Sequence, residues 1–95
     1  MSAVTFKEFE AGALAQGFDE VLERHWAPGV VLETHAHSFA AKALVVRGEM
    51  WLTVGADTRH LLAGDKFELE HDVAHAERYG SEGATYWVAR RNRAA

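Results

Sequence analysis

The stretch GVVLETHAH, residues 29–37, ends a strand-like run with two histidines, His35 and His37. Side chains alternate across an extended strand, so both imidazoles lie on one face, with Cα atoms roughly 6.6 Å apart. A second stretch, in which Gly64 is followed eleven residues later by His75, adds a third imidazole from a later strand. We predict that these imidazoles converge inside a β-barrel, where they can surround a metal ion.

Around these histidines, short segments rich in β-branched and aromatic residues alternate with turn signals. The predicted strands are residues 21–26, 30–37, 41–47, 50–54, 58–62, 67–70, 74–79 and 84–90. Short strands at such spacing indicate an antiparallel sandwich or barrel. Before them, Thr5 and Glu8 have capping-box spacing and Gly17 favours a helix stop, which predicts a helix over about residues 5–16.

The predicted architecture is therefore a single all-β domain over residues 1–95, with a short N-terminal helix and an antiparallel β-barrel or jelly roll over about residues 18–91. The chain has no cysteine, so neither a disulfide nor a thiolate ligand is available. A domain of only 95 residues then gains stability from a metal, from oligomerisation or from both. We expect a homodimer.

The charge and hydropathy of the chain exclude several classes of partner. A net charge of −4 argues against a nucleic-acid partner, and we interpret Arg90, Arg91 and Arg93 as a solvated tail. No apolar run approaches the ~18 residues of a membrane span, and the N-terminus lacks a signal-peptide core. We expect a soluble cytoplasmic protein without a membrane partner.

The glycine and histidine spacings resemble the two motifs of the cupin superfamily. The first family motif reads Gly, five residues, His-x-His, three or four residues, Glu, six residues, Gly. The second reads Gly, five residues, Pro-x-Gly, two residues, His, three residues, Asn. This chain has Gly29, His35, His37, Ala41 and Gly48 at the first set of positions, and Gly64, Glu70, Asp72, His75 and Tyr79 at the second.

The resemblance covers roughly residues 20–90 and implies a small single-domain bacterial cupin with an RmlC-like β-barrel. Ala41 departs from the family pattern, because it stands where the family has a metal-binding Glu and a methyl group cannot coordinate. The remaining three histidines resemble the iron centres of some cupin dioxygenases. They equally resemble small cupins that bind a metal with no known reaction.

Two carboxylates are candidates for completing the site. Glu77 shares strand parity with His75, and Glu33 shares it with His35, so either can convert the histidines into a His–carboxylate site for iron or manganese. The alternative is that Glu77 pairs with a neighbouring arginine or lies in solvent, and that Glu33 is exposed.

Several other residues are assigned simpler roles. Phe39 and Tyr79 follow the ligand strands at even spacing and are candidates for lining the pocket, with core packing as the alternative. Trp51 lies on the face opposite Met50, Leu52 and Val54, which suggests a dimer contact. The remaining histidines are expected at the surface or in turns: His25, His60 and His71.

The sequence predicts a metal-binding barrel and leaves its activity open. No nucleophile motif and no phosphate-binding glycine loop is present. A divalent ion is expected, and Fe, Ni, Zn and Mn all remain candidates because imidazole preference does not select one. One hypothesis is an enzyme that performs oxygen-dependent or Lewis-acid chemistry on a small chelating molecule. The others are a binding or sensing barrel with the metal as an anchor or absent, and a metal-free barrel whose histidines are structural.

Overall fold

The computed structural model describes residues 4–92, which form one helix and six strands. All strand pairings within this range are antiparallel. The predicted all-β fold with a short N-terminal helix is therefore confirmed. In chain order the elements are α1 (Phe6–Ala15), β1 (Glu20–Trp26), β2 (Val31–His35), β3 (Ala40–Val54), β4 (Asp57–Leu62), β5 (Lys66–Leu69) and β6 (His75–Arg91).

Two long strands, β3 and β6, run antiparallel to each other and take part in both layers of the fold. In the first layer, the start of β6 pairs with β2, and the end of β3 pairs with β4. In the second layer, the end of β6 pairs with β1, and the start of β3 pairs with β5. The inward side chains of both layers form one apolar core, which includes Val45, Met50, Leu61, Phe67, Tyr86 and Val88.

A pair of glycines lets β3 and β6 pass from one layer to the other without ending. The β3–β6 register shifts on both sides of Gly48, which has φ +76°. A Cβ on Gly48 would lie 2.1 Å from the carbonyl oxygen of Gly83, and a Cβ on Gly83 would lie 2.2 Å from the carbonyl oxygen of Trp26. Only glycine tolerates both the positive φ and these approaches.

The prediction of eight separate strands was wrong at these two places. Residues 48–49 and 80–83 carry glycine, which marks turns in many sequences, yet here they are bends inside continuous strands. The reason is that the two glycines face each other across the β3–β6 pair, so both strands curve together and their pairing resumes beyond the bend.

The helix lies on the outside of the second layer. Its capping box is present as predicted: the Thr5 hydroxyl accepts from the Glu8 amide at 3.1 Å, and the Glu8 carboxylate accepts from the Thr5 amide at 2.9 Å. Phe6 and Phe9 pack against the Trp87 ring, with centroid distances of 5.5 and 6.0 Å. Within residues 4–92, no helix has the length and hydropathy needed to cross a membrane.

Candidate metal centre

The three motif histidines line one cavity between the two layers. His35 ends β2 and lies directly opposite His75, the first residue of β6, with ring centroids 4.3 Å apart. His37 lies two residues beyond the end of β2, so the predicted strand over 30–37 is too long. Its ring is 4.9 Å from that of His75 and 6.3 Å from that of His35. The Asp72 amide donates to the His37 carbonyl at 2.9 Å, which ties the second motif to the first.

Glu77 extends into the same cavity from β6, two residues after His75. It is only 7% exposed. Its Oε2 atom lies 3.5 Å from Nε2 of His35 and 3.6 Å from Nε2 of His75. The candidate metal-ligand atoms of His35, His75 and Glu77 all lie within 4.8 Å of one another, whereas His37 is not part of that group.

Each of the three histidines is oriented by a hydrogen bond to a backbone carbonyl. A carbonyl oxygen only accepts, so Nδ1 carries a proton in every case, and in the neutral ring Nε2 is left with a lone pair. This is the arrangement by which proteins fix the tautomer and ring orientation of metal-ligating histidines. The Nδ1–oxygen distances are 2.7 Å from His35 to Glu33, 3.2 Å from His37 to Phe39 and 2.9 Å from His75 to Val73.

The result is a cluster of hydrogen-bond acceptors that face one another without an N–H or O–H donor between them. The lone pairs of His35 and His75 stand opposite a Glu77 oxygen at distances too long for a hydrogen bond. Two ligands of one ion, each about 2.0–2.1 Å from it, are roughly 3 Å apart. The observed separations exceed that by a few tenths of an ångström, so these nitrogen and oxygen atoms fit around a divalent cation.

The carboxylate lies on a different strand from the one that the family motif uses. Ala41, at the motif position of the usual Glu, is buried on β3 and lines the cavity with a methyl group only. Glu77 provides a carboxylate from β6 instead. It is neither exposed nor in an ion pair with an arginine within residues 4–92. The other candidate, Glu33, is exposed.

The two predicted pocket residues occupy different places. Phe39 lines the cavity and stacks on His37, with ring centroids 3.9 Å apart and an interplanar angle of 3°. Tyr79 is fully buried behind the cavity wall, where its ring stacks on Trp26 at 5.2 Å. Its hydroxyl donates to Oε1 of Glu77. Tyr79 therefore packs in the core and contacts the site through Glu77.

Burial sets the protonation of the groups around the cluster. Burial raises the pKa of Tyr79 far above its usual value, and the neighbouring Tyr86 and Glu77 add to this. Burial and the charge of Glu77 also raise the pKa of Tyr86. Burial lowers the pKa of the His37 imidazole below its usual value. At neutral pH the tyrosines are therefore hydroxyl donors, and His37 is a neutral ring.

Sequence reasoning missed two cationic residues of the cavity, Arg24 and Arg90. The interpretation of the C-terminal arginines as a solvated tail was wrong for Arg90, which is only partly exposed and lies over the Phe39 ring at 4.5 Å. Strand parity contains the missing signal, because Arg90 alternates in step with the inward-facing Tyr86 and Val88. Arg91 is likewise partly buried, 5.5 Å over the Phe18 ring. Arg93 lies outside the described residues.

The histidines predicted at the surface or in turns lie outside the cavity. His25 is exposed and pairs with Thr85 at 3.0 Å and with Glu23 at 3.1 Å. His60 is exposed and pairs with Glu49 at 2.8 Å. His71 lies in the turn before β6 and is partly buried.

Comparison with known proteins supports the fold assignment. No family model and no curated protein matches the chain. Among solved structures, the chain is similar to KdgF from a Halomonas species, with 20% identity, 78% of this chain and 68% of that one covered, and a TM-score of 0.69. An RmlC-like cupin from Shewanella frigidimarina has 25% identity and a TM-score of 0.66, with 77% of this chain and 66% of that one covered. An oxalate decarboxylase has 20% identity and a TM-score of 0.68, with 75% of this chain and 20% of that one covered.

These matches cover about three quarters of the chain, but only about two thirds of the first two proteins and a fifth of the decarboxylase. At such low identity they establish the common fold of the barrel. The two histidine motifs of this chain meet in one cavity of that fold. The chain therefore has the fold of the RmlC-like cupins.

Proposed function

We propose that this chain binds one divalent metal ion and uses it to act on a small molecule in the barrel cavity. The proposed ligands are His35, His75 and Glu77, with His37 as a further ligand from the connection after β2. The supporting observation is the cluster of lone pairs around Oε2 of Glu77, which contains no donor. Two histidines and one carboxylate with open positions are typical of non-haem Fe(II) sites, and Mn, Ni and Zn accept the same donors.

A bound ion supplies Lewis-acid polarisation of a substrate oxygen, or an open position for dioxygen. The residues of the chain hold and shape the site. Tyr79 orients the Glu77 carboxylate by donating to its second oxygen. Apolar side chains line the remaining wall and limit the access of water: Leu32, Phe67, Leu69 and Val88.

The names of the similar proteins support an enzyme over a binding module, because two of them are a lyase and a decarboxylase by name. A sensing or storage barrel would use the same ligands without turnover. Oxygen uptake, or conversion of a small chelating molecule, by the metal-loaded protein separates the two. Full metal occupancy without turnover across a broad screen would favour the binding module.

The test of the metal site is elemental analysis of untagged protein purified without chelator, beside two single variants. We expect near-stoichiometric metal in the wild type and in His60→Ala, and loss of metal in His75→Ala. His60 is the matched control because it also pairs with a glutamate, but on the surface. Equal metal content in both variants, or no metal in the wild type even after reconstitution, would overturn the proposal.

We also propose that the chain forms a homodimer through the outer face of the first layer. Val31, Arg78, Trp51 and His60 form one cross-strand row there. Val31 is 62% exposed, and the Trp51 ring lies against Arg78 and His60. Sedimentation at micromolar concentration should give a dimer that Val31→Glu dissociates. A wild-type monomer would contradict the proposal. The cytoplasmic location stays a prediction.

A further inference from the structure

The cavity that contains the histidine cluster also contains two guanidinium groups. Arg24 comes from β1 and Arg90 from the end of β6, and both line the same space as His35, His75 and Glu77. Arg24 lies on a strand that contributes no proposed metal ligand, and Arg90 lies at the end of β6 opposite to His75 and Glu77. Their presence in the cavity therefore calls for an explanation of its own.

The two arginines have few partners of their own. Within residues 4–92, Nε of Arg90 is buried and has no hydrogen-bond partner, and its Nη1 has only a long contact of 3.4 Å to Glu20. Arg24 forms no ion pair within the same range, and its guanidinium lies 5.0 Å over the Trp26 ring. Arg24 therefore has no carboxylate partner within this range and Arg90 has only the long ion pair with Glu20, so both guanidinium groups keep N–H donors for an anion from solution.

The charge balance of the cavity points the same way. Two guanidinium groups face one carboxylate, Glu77, so the lining is net positive before any metal is added. A bound divalent ion increases that excess. A negatively charged ligand neutralises it, whereas a neutral ligand of the same shape leaves it uncompensated.

We propose that the ligand of this cavity is a small carboxylate, held by Arg24 and Arg90 while another of its oxygen atoms faces the histidine cluster. The inference rests on the proposed function, because the ligand shares its cavity with the metal. The cavity has a volume of about 140 Å³. A cavity of about 150 Å³ holds benzene, so the ligand has about six to eight non-hydrogen atoms.

The test compares lactate with lactamide, which have the same shape and size and differ in charge. Binding to the full chain is measured in two ways. After removal of metal by a chelator it is measured by NMR titration, and after loading with Mn(II) it is measured by calorimetry. In the metal-free protein, we expect lactate to bind at least about 10-fold more tightly than lactamide, since hydrogen bonds to charged groups are the stronger ones. The Arg90 Nε–H resonance should move with lactate only.

Variants assign the preference to the arginines. Arg24→Gln and Arg90→Gln should each remove most of the lactate preference while retaining the wild-type metal content. Arg90→Lys should retain part of it, because it keeps the charge without the planar fork. Arg47→Gln is the matched control, since Arg47 is exposed on β3 and outside the cavity. It should bind lactate as the wild type does.

The outcomes separate this inference from the metal proposal. Equal binding of lactate and lactamide, no binding of either, or an unchanged preference in both arginine-to-glutamine variants would overturn the carboxylate inference even if metal binds stoichiometrically. A lactate preference that depends on the arginines in a protein that takes up no metal would support the inference and overturn the proposed function instead.

Discussion

Histidine–glutamate pairs occur both on the surface and in the cavity of this protein, and they differ in one respect. On the surface, Nε2 of His60 lies 2.8 Å from Glu49, and Nε2 of His25 lies 3.1 Å from Glu23, which are hydrogen-bond distances. In the cavity, two Nε2 atoms stand 3.5 and 3.6 Å from Glu77. The surface contacts are hydrogen bonds, whereas the cavity contacts are too long to be hydrogen bonds.

This difference in histidine–glutamate distance indicates different roles for the surface pairs and the cavity pairs. Exposed ion pairs contribute only about 0–1 kcal/mol to stability, so the surface pairs are minor structural contacts. A buried carboxylate opposite two lone pairs is costly unless a cation lies among them. We therefore expect the cavity cluster to lower the stability of the metal-free fold and to favour binding of a cation.

The largest expected effect comes from removing the charge of Glu77 alone. Glu77→Gln should weaken metal binding by about 100-fold or more, since the loss of residues behind a ligand already costs 10–100-fold. The same change should leave the metal-free protein equally or more stable, because the new amide can donate to a histidine lone pair. Competition with a colorimetric chelator measures the affinity, and thermal unfolding measures the stability.

Glu49→Gln is the matched control on the surface, where the carboxylate faces His60. It should leave metal affinity unchanged. Unchanged affinity in Glu77→Gln would remove Glu77 from the site, and a large loss of metal-free stability in that variant would mean that the carboxylate is a structural group.

A smaller effect is expected at Tyr79, which contacts Glu77 and is not itself a proposed ligand. Tyr79→Phe removes the hydroxyl that donates to Oε1 of Glu77. Metal affinity should fall by about 10-fold, the lower range for groups that orient ligands. Because the residue acts through Glu77, the losses in the double variant with Glu77→Gln should not add. Full additivity would show that Tyr79 only packs in the core.

Much of this site follows from spacing and strand parity in the sequence. Parity predicts that His75 and Glu77 share a face of one strand, and the two motifs together predict that the three imidazoles converge. Asp72, at a motif glycine position, adopts φ +60°, so the backbone of the turn is kept although the residue differs. Strand parity and turn conformation are predictable because they depend only on residues close together in the sequence.

Features that depend on distant residues were not predictable in the same way. The bend of β3 at Gly48 is visible only once Gly83 is known to lie against it. Arg90 has the strand parity of the buried Tyr86 and Val88. Three arginines near one end of a chain are nevertheless typical of a solvated tail, and the sequence was interpreted in that way. The hydrogen bonds to Nδ1 join residues only two positions apart, but they depend on where the backbone carbonyls point, and no residue pattern encodes this.

Those Nδ1 bonds give the prediction with the smallest energetic effect, because it concerns only the position of a proton. In the metal-free protein near neutral pH, His35, His37 and His75 should be Nδ1–H tautomers, since each Nδ1 faces a carbonyl that can only accept. His60 should be the Nε2–H tautomer, because its Nε2 faces the Glu49 carboxylate. Long-range ¹H–¹⁵N NMR correlations distinguish the two forms. An Nε2–H tautomer at His35 or His75 would place a donor against Glu77, and the lone-pair cluster that supports a metal would no longer exist.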